Sequence, residues 1–408
     1  MNYKKTFTTL AGATLLAQLI SILFIPFIAR VFPPESFAEF TFWAAMGGLI
    51  GGVFSLKQEQ FFLSRPKSEW PEIVARIFVI YKCGITAFLA FIAIYLVIGQ
   101  PGKGLSVLLT FLYCLLTSLI ISFTNIANVL EAFPALAKSR IIMSTVLGST
   151  QLAVSIFSTS SDALLIGAVL SQLLFLIYLY PKANIGTFLS IKNKATLPRR
   201  NDVKISLHSI FSSIILSVAM SFPPVLLFSL GYHFEAGIVA LLQRFMLMPV
   251  NLLAAPASQV LVVFLRRNQQ QKISNRLLAQ STTAIALAYI CSYLLTAAAS
   301  ELKLLTYILG QQWKAADLLA ASVVSIYLSL LIRNISVQYF LVRERQSSLM
   351  QIDVFFLILL GVGYAAASAH YLALQQYLLV MNITYFIYML APLVYIVIHN
   401  SIKTSTYP

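Results

Sequence analysis

The chain has 408 residues, of which 59% are hydrophobic and only 10% are charged, and its mean hydropathy is +0.85. Charged residues make up roughly a quarter of a soluble globular domain, so this composition excludes that class and predicts an integral membrane protein. The net charge of +15 arises from 28 Lys and Arg against 13 Asp and Glu. Such an excess is typical of nucleic-acid binding and also of cytoplasmic loops in membrane proteins, so the positions of the cations must decide between them.

Twelve apolar stretches, each long enough for a transmembrane helix, follow one another along the chain. The first six crossings are expected at 6–29, 40–56, 77–99, 105–130, 141–160 and 163–180. A long basic interval at 182–204 then separates the halves. The remaining six are expected at 205–230, 236–265, 277–299, 318–340, 348–369 and 377–398. We therefore predict an all-α fold of about 12 transmembrane helices in two six-helix lobes, 1–181 and 205–408, joined by a cytoplasmic linker at 182–204.

The distribution of cations predicts the orientation of these helices. With the N-terminus inside the cell, 21 of the 28 Lys and Arg fall in cytoplasmic segments and four in outer loops. The positive-inside rule thus places both termini in the cytoplasm, and the net charge needs no nucleic-acid partner. Three cations remain within predicted crossings, namely Lys82, Arg244 and Arg333.

Ionisable residues inside a bilayer are costly, so they usually face a bundle interior or a wet cavity. Arg244 lies about nine residues into the eighth crossing, which favours a role in a cavity. Arg333 and Asp353 lie on the inner halves of the tenth and eleventh crossings, where a structural ion pair is the better interpretation. Lys82 is close enough to the inner surface to snorkel. Gln18, in the first crossing, bonds either a neighbouring helix or a polar ligand.

Glycines and prolines predict where helices pack closely or bend. The cluster Gly47-Gly48-x-x-Gly51-Gly52 contains two overlapping G-x-x-x-G patterns, which favour close helix packing. The pair Pro223-Pro224 removes backbone hydrogen bonds within the seventh crossing. A static kink and a hinge are both compatible with that pair.

Several classes of chemistry have no support in the sequence. Cys83, Cys114 and Cys291 lie in apolar runs without a C-x-x-C pair, so neither a disulfide framework nor a zinc site is expected. The chain contains no P-loop, no G-x-S-x-G and no dinucleotide-binding motif. We therefore expect neither an enzyme nor a protein with a metal or cofactor.

Four segments along the chain share a recognisable pattern. They are Gly12 to Ile20 with Pro26, Arg30 and Pro34-Glu35-Ser36-Phe37; Leu56-Lys57-Gln58-Glu59; Ala240-Leu241-Leu242-Gln243-Arg244 with Pro249 and Leu252; and Gly310-Gln311-Gln312-Trp313-Lys314-Ala315-Ala316. In these segments the chain resembles the polysaccharide flippase family, of the O-antigen type, within the multidrug/oligosaccharidyl-lipid/polysaccharide (MOP) exporter superfamily. The second segment departs from the family pattern Leu-Arg-Tyr-Glu, with Lys for Arg and Gln for Tyr. The segments occur in family order across most of the chain.

This resemblance implies a protein of the bacterial cytoplasmic (inner) membrane that moves undecaprenyl-diphosphate-linked oligosaccharides to the outer leaflet by alternating access. It also implies a proton or sodium gradient as the energy source and the polysaccharide polymerase machinery as a further partner. Cations suit the diphosphate, because guanidinium forms bidentate charge-assisted bonds with phosphate. The candidate substrate-binding residues are Arg244, Arg30, Gln18, Gln243 and Lys82. The candidates for ion coupling are Asp353, Glu59 and Glu131.

Three other functions remain open at this point. One is a lipid II flippase, although that branch resembles fourteen-helix proteins that are longer than this chain. A drug/cation antiporter of the same superfamily would require acids in its cavity. A polysaccharide polymerase or ligase would use a substantial outer loop, whereas the longest one expected here runs only over 300–317.

Overall fold

The computed structural model describes residues 3–65, 67–98, 103–182, 184, 200–245, 294, 296, 298–342, 346–369 and 373–405. All regular elements among these residues are helices. The long ones are α1 (Tyr3–Val31), α2 (Pro34–Val53), α3 (Trp70–Ile98), α4 (Gly104–Val129), α5 (Phe133–Ser155), α6 (Ser161–Lys182), α7 (Arg200–Ser229), α8 (233–245), α9 (Ala315–Val342), α10 (Gln346–Ser368) and α11 (Leu374–Ser405). Short helices occupy Phe61–Ser64 and Leu304–Leu309, and 3-10 turns occupy Gln58–Gln60, Lys67–Glu69 and Gln311–Trp313.

The all-helical prediction is confirmed for the described residues. Seven of their helices contain a segment that is long and apolar enough to cross a membrane. Most of the ninth predicted crossing, 277–299, and the second half of the eighth lie outside the described residues, as does most of the linker at 182–204. The total of twelve crossings and the cytoplasmic position of both termini therefore stay predictions.

Several helices extend beyond the crossings that the sequence predicted. Helix α5 begins at Phe133 rather than near 141, and α7 begins at Arg200, within the predicted linker. Hydropathy detects only the apolar part of a helix, whereas the backbone continues its hydrogen bonds into polar flanking sequence. In α7 the acid Asp202 lies in the first turn, where the partial positive charge of the helix end favours a carboxylate.

The chain divides into two compact units, unit 1 (1–225) and unit 2 (226–408). The boundary lies inside α7, directly after Pro223 and Pro224, and α7 remains helical through both prolines. The first part of α7 therefore belongs to unit 1. The division into lobes at 182–204 stays a prediction, as does the choice between a kink and a hinge.

In unit 1, helices α2 and α4 approach each other closely at two glycines, as the G-x-x-x-G pattern predicted. A Cβ atom at Gly47 would lie 2.9 Å from Cδ1 of Tyr113, and one at Gly51 would lie 2.6 Å from the backbone oxygen of Cys114. By contrast, a Cβ atom at Gly52 would meet nothing within 4 Å. Only one face of the glycine cluster therefore makes the contact.

The turn before α9 in unit 2 is held by a buried tryptophan and a carboxylate. Trp313 is fully buried, and Gly310 adopts a φ of +105° that a residue with a side chain rarely accepts. The Asp317 carboxylate accepts hydrogen bonds from the backbone N–H groups of Leu305 and Thr306 at 3.2 and 3.1 Å. The segment Gly310 to Ala316, which carried part of the family resemblance, is thus explained by packing and capping.

We expect Gly51→Ala to lower the free energy of unfolding by about 1–3 kcal/mol, because the new methyl group would overlap the α4 backbone. Gly52→Ala is the matched control and should be neutral or slightly stabilising, since alanine favours helix and the position is open. Denaturation of the purified variants in detergent would measure both. Equal stability of the two variants would contradict the close approach at Gly51.

Candidate functional site

A buried polar network in unit 1 connects the turn between α2 and α3 to the start of α7. Its centre is Asp202, whose carboxylate is 3% exposed. Asp202 Oδ1 accepts a hydrogen bond from Arg65 Nη2 at 2.5 Å, and Oδ2 lies 3.5 Å from Arg76 Nη1. Gln58 Nε2 donates to Ser206 Oγ at 3.0 Å, and Gln58 Oε1 accepts from Arg76 Nη1 at 3.4 Å. One carboxylate and one amide thus attach the first two turns of α7 to unit 1.

The turn that supplies this network has an unusual backbone. Leu56 and Lys57 both adopt left-handed φ angles, 49° and 57°, which cost non-glycine residues about 1–3 kcal/mol each. The turn buries Glu59, which is 1% exposed and accepts a hydrogen bond from the Ser55 hydroxyl. Burial lowers the pKa of the Lys57 ammonium, and the charge of Glu59 partly opposes that shift. The predicted coupling residue Glu59 therefore lies within a strained, buried turn.

This network was not identified from the sequence. Arg65 and Arg76 are among the 21 cations that the sequence analysis counts as cytoplasmic, and Asp202 is the single acid of the basic interval 182–204. The contacts join positions 126 and 137 residues apart, which no local pattern reveals. The one available signal was a lone acid among six cations, because such an acid is the natural partner for arginines elsewhere.

Arg30 and Gln18, two candidate substrate-binding residues, lie on α1 in unit 1. Arg30 is exposed in the last turn, and Gln18 is half-buried with Oε1 lacking a hydrogen-bond partner among the described residues. They are twelve residues apart, which is about 18 Å along a helix, so one small ligand group cannot contact both. One turn before Gln18 on α1, Thr14 Oγ1 accepts a hydrogen bond from Arg140 Nη1 at 2.9 Å. Arg140, on α5, is one of the 21 cations that the sequence analysis counts as cytoplasmic, and it lies close to Gln18 in sequence position along α1 through this contact.

Lys82, the third candidate in unit 1, lines a cavity of about 510 Å³ between α3 and α4. Its side chain is exposed, which agrees with a snorkelling lysine. The neighbouring Tyr81 hydroxyl donates to Ser118 Oγ at 2.6 Å and so connects the two helices. Lys82 therefore lies on α3 beside α4, whereas Arg30 and Gln18 lie on α1.

Gln243 and Arg244 lie on α8 in unit 2. Gln243 is 7% exposed and Arg244 is half-buried. Pro249 and Leu252, which completed this segment of the family resemblance, lie outside the described residues. A shared cavity formed by Arg244 and the candidates of unit 1 stays a prediction.

Arg333 and Asp353 form the buried ion pair that the sequence predicted. Arg333 Nη2 lies 2.5 Å from Asp353 Oδ1, and the two residues are 3% and 0% exposed. The Tyr388 hydroxyl donates to the same oxygen at 2.7 Å, and the guanidinium carbon lies 4.7 Å from the Tyr388 ring centre. Three helices, α9, α10 and α11, therefore meet at one neutralised carboxylate. A coupling role for Asp353 would require this pair to open.

Glu131, the last coupling candidate, is exposed in the turn after α4, with a φ of 57°. This places it at a helix end rather than within α4. In the described part of the chain, no three His, Cys, Asp or Glu side chains converge in a way that could hold a metal ion.

No protein-family model matches the chain, and no curated protein matches it. Several solved structures, by contrast, have a fold similar to that of this chain. One is a MOP superfamily transporter from Pyrococcus furiosus Vc1 (DSM3638), which is described as having a binding pocket of reverse polarity that suggests a different function. It superposes on this chain with a TM-score of 0.59 at 14% identity, and the match covers 99% of this chain and 97% of that one. An inward-facing multidrug resistance MATE family transporter of the MOP superfamily gives 0.54 at 14% identity, with 98% and 96% covered. MATE in complex with MaD3S gives 0.56 at 16% identity, with 99% and 97% covered.

At this level of identity the likeness concerns the fold. It extends over nearly the whole of this chain and of each neighbour. The chain is thus a multi-pass membrane protein with the fold of MOP superfamily transporters.

We expect Asp202→Asn to lower the free energy of unfolding by about 2 kcal/mol, because Arg65 would lose its 2.5 Å contact with the carboxylate and the buried Arg76 would keep only Glu72, at 3.1 Å, as a charged partner. Glu39→Gln is the matched control. Its ion pair with Lys103 is more exposed, so its loss should cost at most about 1 kcal/mol. Denaturation in detergent measures both variants, and an Asp202→Asn protein as stable as the control would contradict the network.

We also expect Arg333→Met alone to destabilise unit 2 by about 3–5 kcal/mol, since Asp353 would remain buried without its cation. The double variant Arg333→Met/Asp353→Leu should recover most of that loss, because no buried charge remains. The measurement is again unfolding in detergent. A double variant less stable than the single one would show that the two residues are not coupled as a pair.

Proposed function

We propose that the chain is a flippase that moves undecaprenyl-diphosphate-linked oligosaccharide units, such as O-antigen repeat units, across the bacterial cytoplasmic membrane by alternating access. The fold of MOP superfamily transporters supports a transporter. The choice of an anionic lipid-linked substrate depends on one observation, the sign of the charge left inside the predicted crossings.

That charge is positive. The predicted crossings contain three cations, Lys82, Arg244 and Arg333, and one acid, Asp353. Asp353 is neutralised by Arg333 at 2.5 Å, so the acid is not available to a cationic drug while the pair is closed. A carrier for cations requires the opposite balance. The remaining positive charge therefore favours an anionic substrate.

A diphosphate carrying a glycan cannot enter hydrocarbon without a polar path, because transferring charged and hydroxyl groups into an apolar medium is strongly unfavourable. A wet cavity with a fixed guanidinium supplies both hydration and charge, while the polyprenyl tail stays in the lipid. Arg244 is the residue best suited to this role, since it lies within a predicted crossing and its planar fork matches phosphate. Gln243, buried beside it, is suited to a sugar hydroxyl or a neighbouring helix.

The neighbour from Pyrococcus furiosus gives a parallel within the same fold. That protein is described by a binding pocket of reverse polarity, from which a different function has been suggested. The fold therefore accommodates pockets of more than one polarity. Charge inside the crossings is accordingly a better guide to substrate class here than overall likeness to multidrug transporters.

An ion gradient is the proposed energy source, with the polysaccharide polymerase machinery as a further partner. Of the coupling candidates, Asp353 and Glu59 are buried, whereas Glu131 is exposed. Burial makes the first two better suited to bind a proton or sodium ion only in one state of the transport cycle.

Replacing Arg244 with Ala should reduce export of the lipid-linked glycan roughly 10- to 100-fold, which corresponds to lost charge-assisted hydrogen bonds of about 1.5–3 kcal/mol. Arg244→Lys should retain part of the activity, because the charge remains without the bidentate fork. Lys314→Ala, which removes an exposed cation of the same unit, is the control and should export normally. Export is measured in cells with equal amounts of each variant in the membrane. Normal export by Arg244→Ala would remove Arg244 from the proposed site.

The substrate itself can be identified by mass spectrometry of polyprenyl-diphosphate-linked glycans in cells with and without the gene. An external lectin or label would report the leaflet of each intermediate. Complete units that accumulate on the cytoplasmic leaflet after deletion are the expected result. Single units on the outer leaflet would indicate a polymerase or ligase instead, and unchanged lipids would favour the drug/cation antiporter.

A further inference from the structure

Helices α1 and α5 pack against each other in unit 1 and run in the same direction. Towards their N-terminal ends, Arg140 Nη1 donates to Thr14 Oγ1 at 2.9 Å. Further along both helices, Gly148 lies so close to Phe24 that a Cβ atom at the glycine would overlap the ring. Thr14 lies near the start of the apolar segment Gly12–Val31, and in the predicted orientation that end faces the cytoplasm. The contact between Arg140 and Thr14 is therefore expected where the inner headgroups meet the hydrocarbon.

No carboxylate neutralises Arg140 within the part of the chain that the structure describes. The residue is half-buried, and none of the ion pairs in that part includes it. Its hydrogen bond there goes to the neutral hydroxyl of Thr14. By contrast, three other arginines that are half-buried or buried each pair with an acid, namely Arg65, Arg76 and Arg333. A guanidinium has five N–H donors, and a charge at a membrane boundary requires an anion or water. Arg140 thus has charge and donors available to a ligand.

Gln18 supplies a second polar group beside this contact. It follows Thr14 by four residues, so the two side chains share a face of α1 and lie about 6 Å apart along the helix axis. Gln18 is half-buried, and its Oε1 is buried without a hydrogen-bond partner among the described residues. A buried amide oxygen without a donor is unfavourable, and a hydroxyl group of a ligand would satisfy it.

These two groups are complementary to a ligand that carries anionic oxygens beside hydroxyl groups. Guanidinium binds phosphate oxygens through bidentate, charge-assisted hydrogen bonds. The expected depth favours the phosphate of a lipid, because lipid phosphates are concentrated at the headgroup level. A sugar linked to a polyprenyl diphosphate supplies two phosphates with sugar hydroxyls next to them. It therefore matches the charge of Arg140 and the acceptor of Gln18 together. A phospholipid with a single phosphate is the weaker match.

We propose that Arg140 and Gln18 form a binding site for a glycosyl diphosphate at the inner end of the interface between α1 and α5. The guanidinium binds the diphosphate, and the Gln18 amide accepts a hydrogen bond from a hydroxyl of the first sugar. Thr14 orients the guanidinium. The identity of the ligand rests on the proposed function, to which the site adds a cation that receives the substrate at the cytoplasmic leaflet.

The cation is tested by the binding of sugar-free undecaprenyl diphosphate to the full-length protein in phosphatidylcholine nanodiscs. Arg140→Gln should lower the affinity about tenfold, which corresponds to the loss of a charge-assisted hydrogen bond. Arg140→Lys should retain part of the affinity, because the charge remains without the planar fork. Lys138→Gln is the matched control, since Lys138 is an exposed cation two residues earlier on α5, and its affinity should be unchanged.

The amide is tested by comparing that probe with undecaprenyl diphosphate that carries one sugar. Gln18→Leu should lower the affinity for the sugar-bearing probe about three- to tenfold and leave the affinity for the sugar-free probe unchanged. A purely structural role of Gln18 would instead change both affinities together. An equal effect of Gln18→Leu on the two probes, or no effect on either, would remove Gln18 from the site.

Normal binding of the sugar-free probe by Arg140→Gln, or an equal loss in Lys138→Gln, would overturn the proposal. Phosphatidylglycerol should displace the probe poorly, and displacement equal to that by unlabelled undecaprenyl diphosphate would show a general site for anionic phospholipids instead. If Arg140→Gln does not fold, Thr14→Val removes the acceptor that orients the guanidinium and should lower the affinity for both probes about two- to fivefold. Normal binding by Thr14→Val would then overturn the proposal.

Failure of the proposed function is a different result from failure of this site. In the first case, deletion of the gene would leave lipid-linked glycans unchanged. In the second case, glycans would accumulate on the cytoplasmic leaflet after deletion, although Arg140→Gln binds undecaprenyl diphosphate as the unaltered protein does.

Discussion

An ion inside hydrocarbon must be paired or hydrated, and this constraint organises the described charges of the chain. It explains why Asp353 and Arg333 are found together with the Tyr388 hydroxyl, at the meeting point of α9, α10 and α11. Replacing such a pair with apolar residues is often neutral for stability. Stability alone therefore does not explain the presence of this pair in unit 2.

The same constraint acts differently at the predicted cytoplasmic end of unit 1. There Asp202 is shared by Arg65 and Arg76, and Gln58 extends the hydrogen bonds to Ser206. These groups are buried at a helix end, where several partners can converge from a turn and a helix start. The left-handed backbone at Leu56 and Lys57 directs the turn that brings them together. The turn itself contributes Gln58, which bonds to Ser206 and Arg76, so the strained backbone and part of the network lie in the same segment.

The sequence predicts features that depend on the residues of one segment, such as the free-energy cost of a charge inside a crossing or the spacing of glycines on a helix. The ion pair of Arg333 and Asp353 could be predicted because an unpaired charge inside a crossing is energetically unfavourable. The close approach at Gly47 and Gly51 could be predicted because their spacing places both on one helix face. The Asp202 network could not be found this way, because its members are separated by more than a hundred residues and each is unremarkable as a surface charge. The helices were predicted too short for a related reason. Hydropathy marks only the part of a helix that lies in lipid, whereas the backbone hydrogen bonds continue beyond the membrane surface. For the candidate site, the sequence predicts residue types but not which of them share a surface, as Lys82 and Gln18 illustrate.

The position of α7 changes what the basic segment at 182–204 connects. Helix α6 and the first part of α7 both belong to unit 1, so the helices on either side of that segment are in the same unit. The only covalent connection between the two units is then the α7 backbone after Pro224, which lacks two of its amide donors at the prolines. Cleavage of the chain between α6 and α7 would therefore leave the peptide connection between the two units intact, whereas cleavage just after Pro224 would separate them.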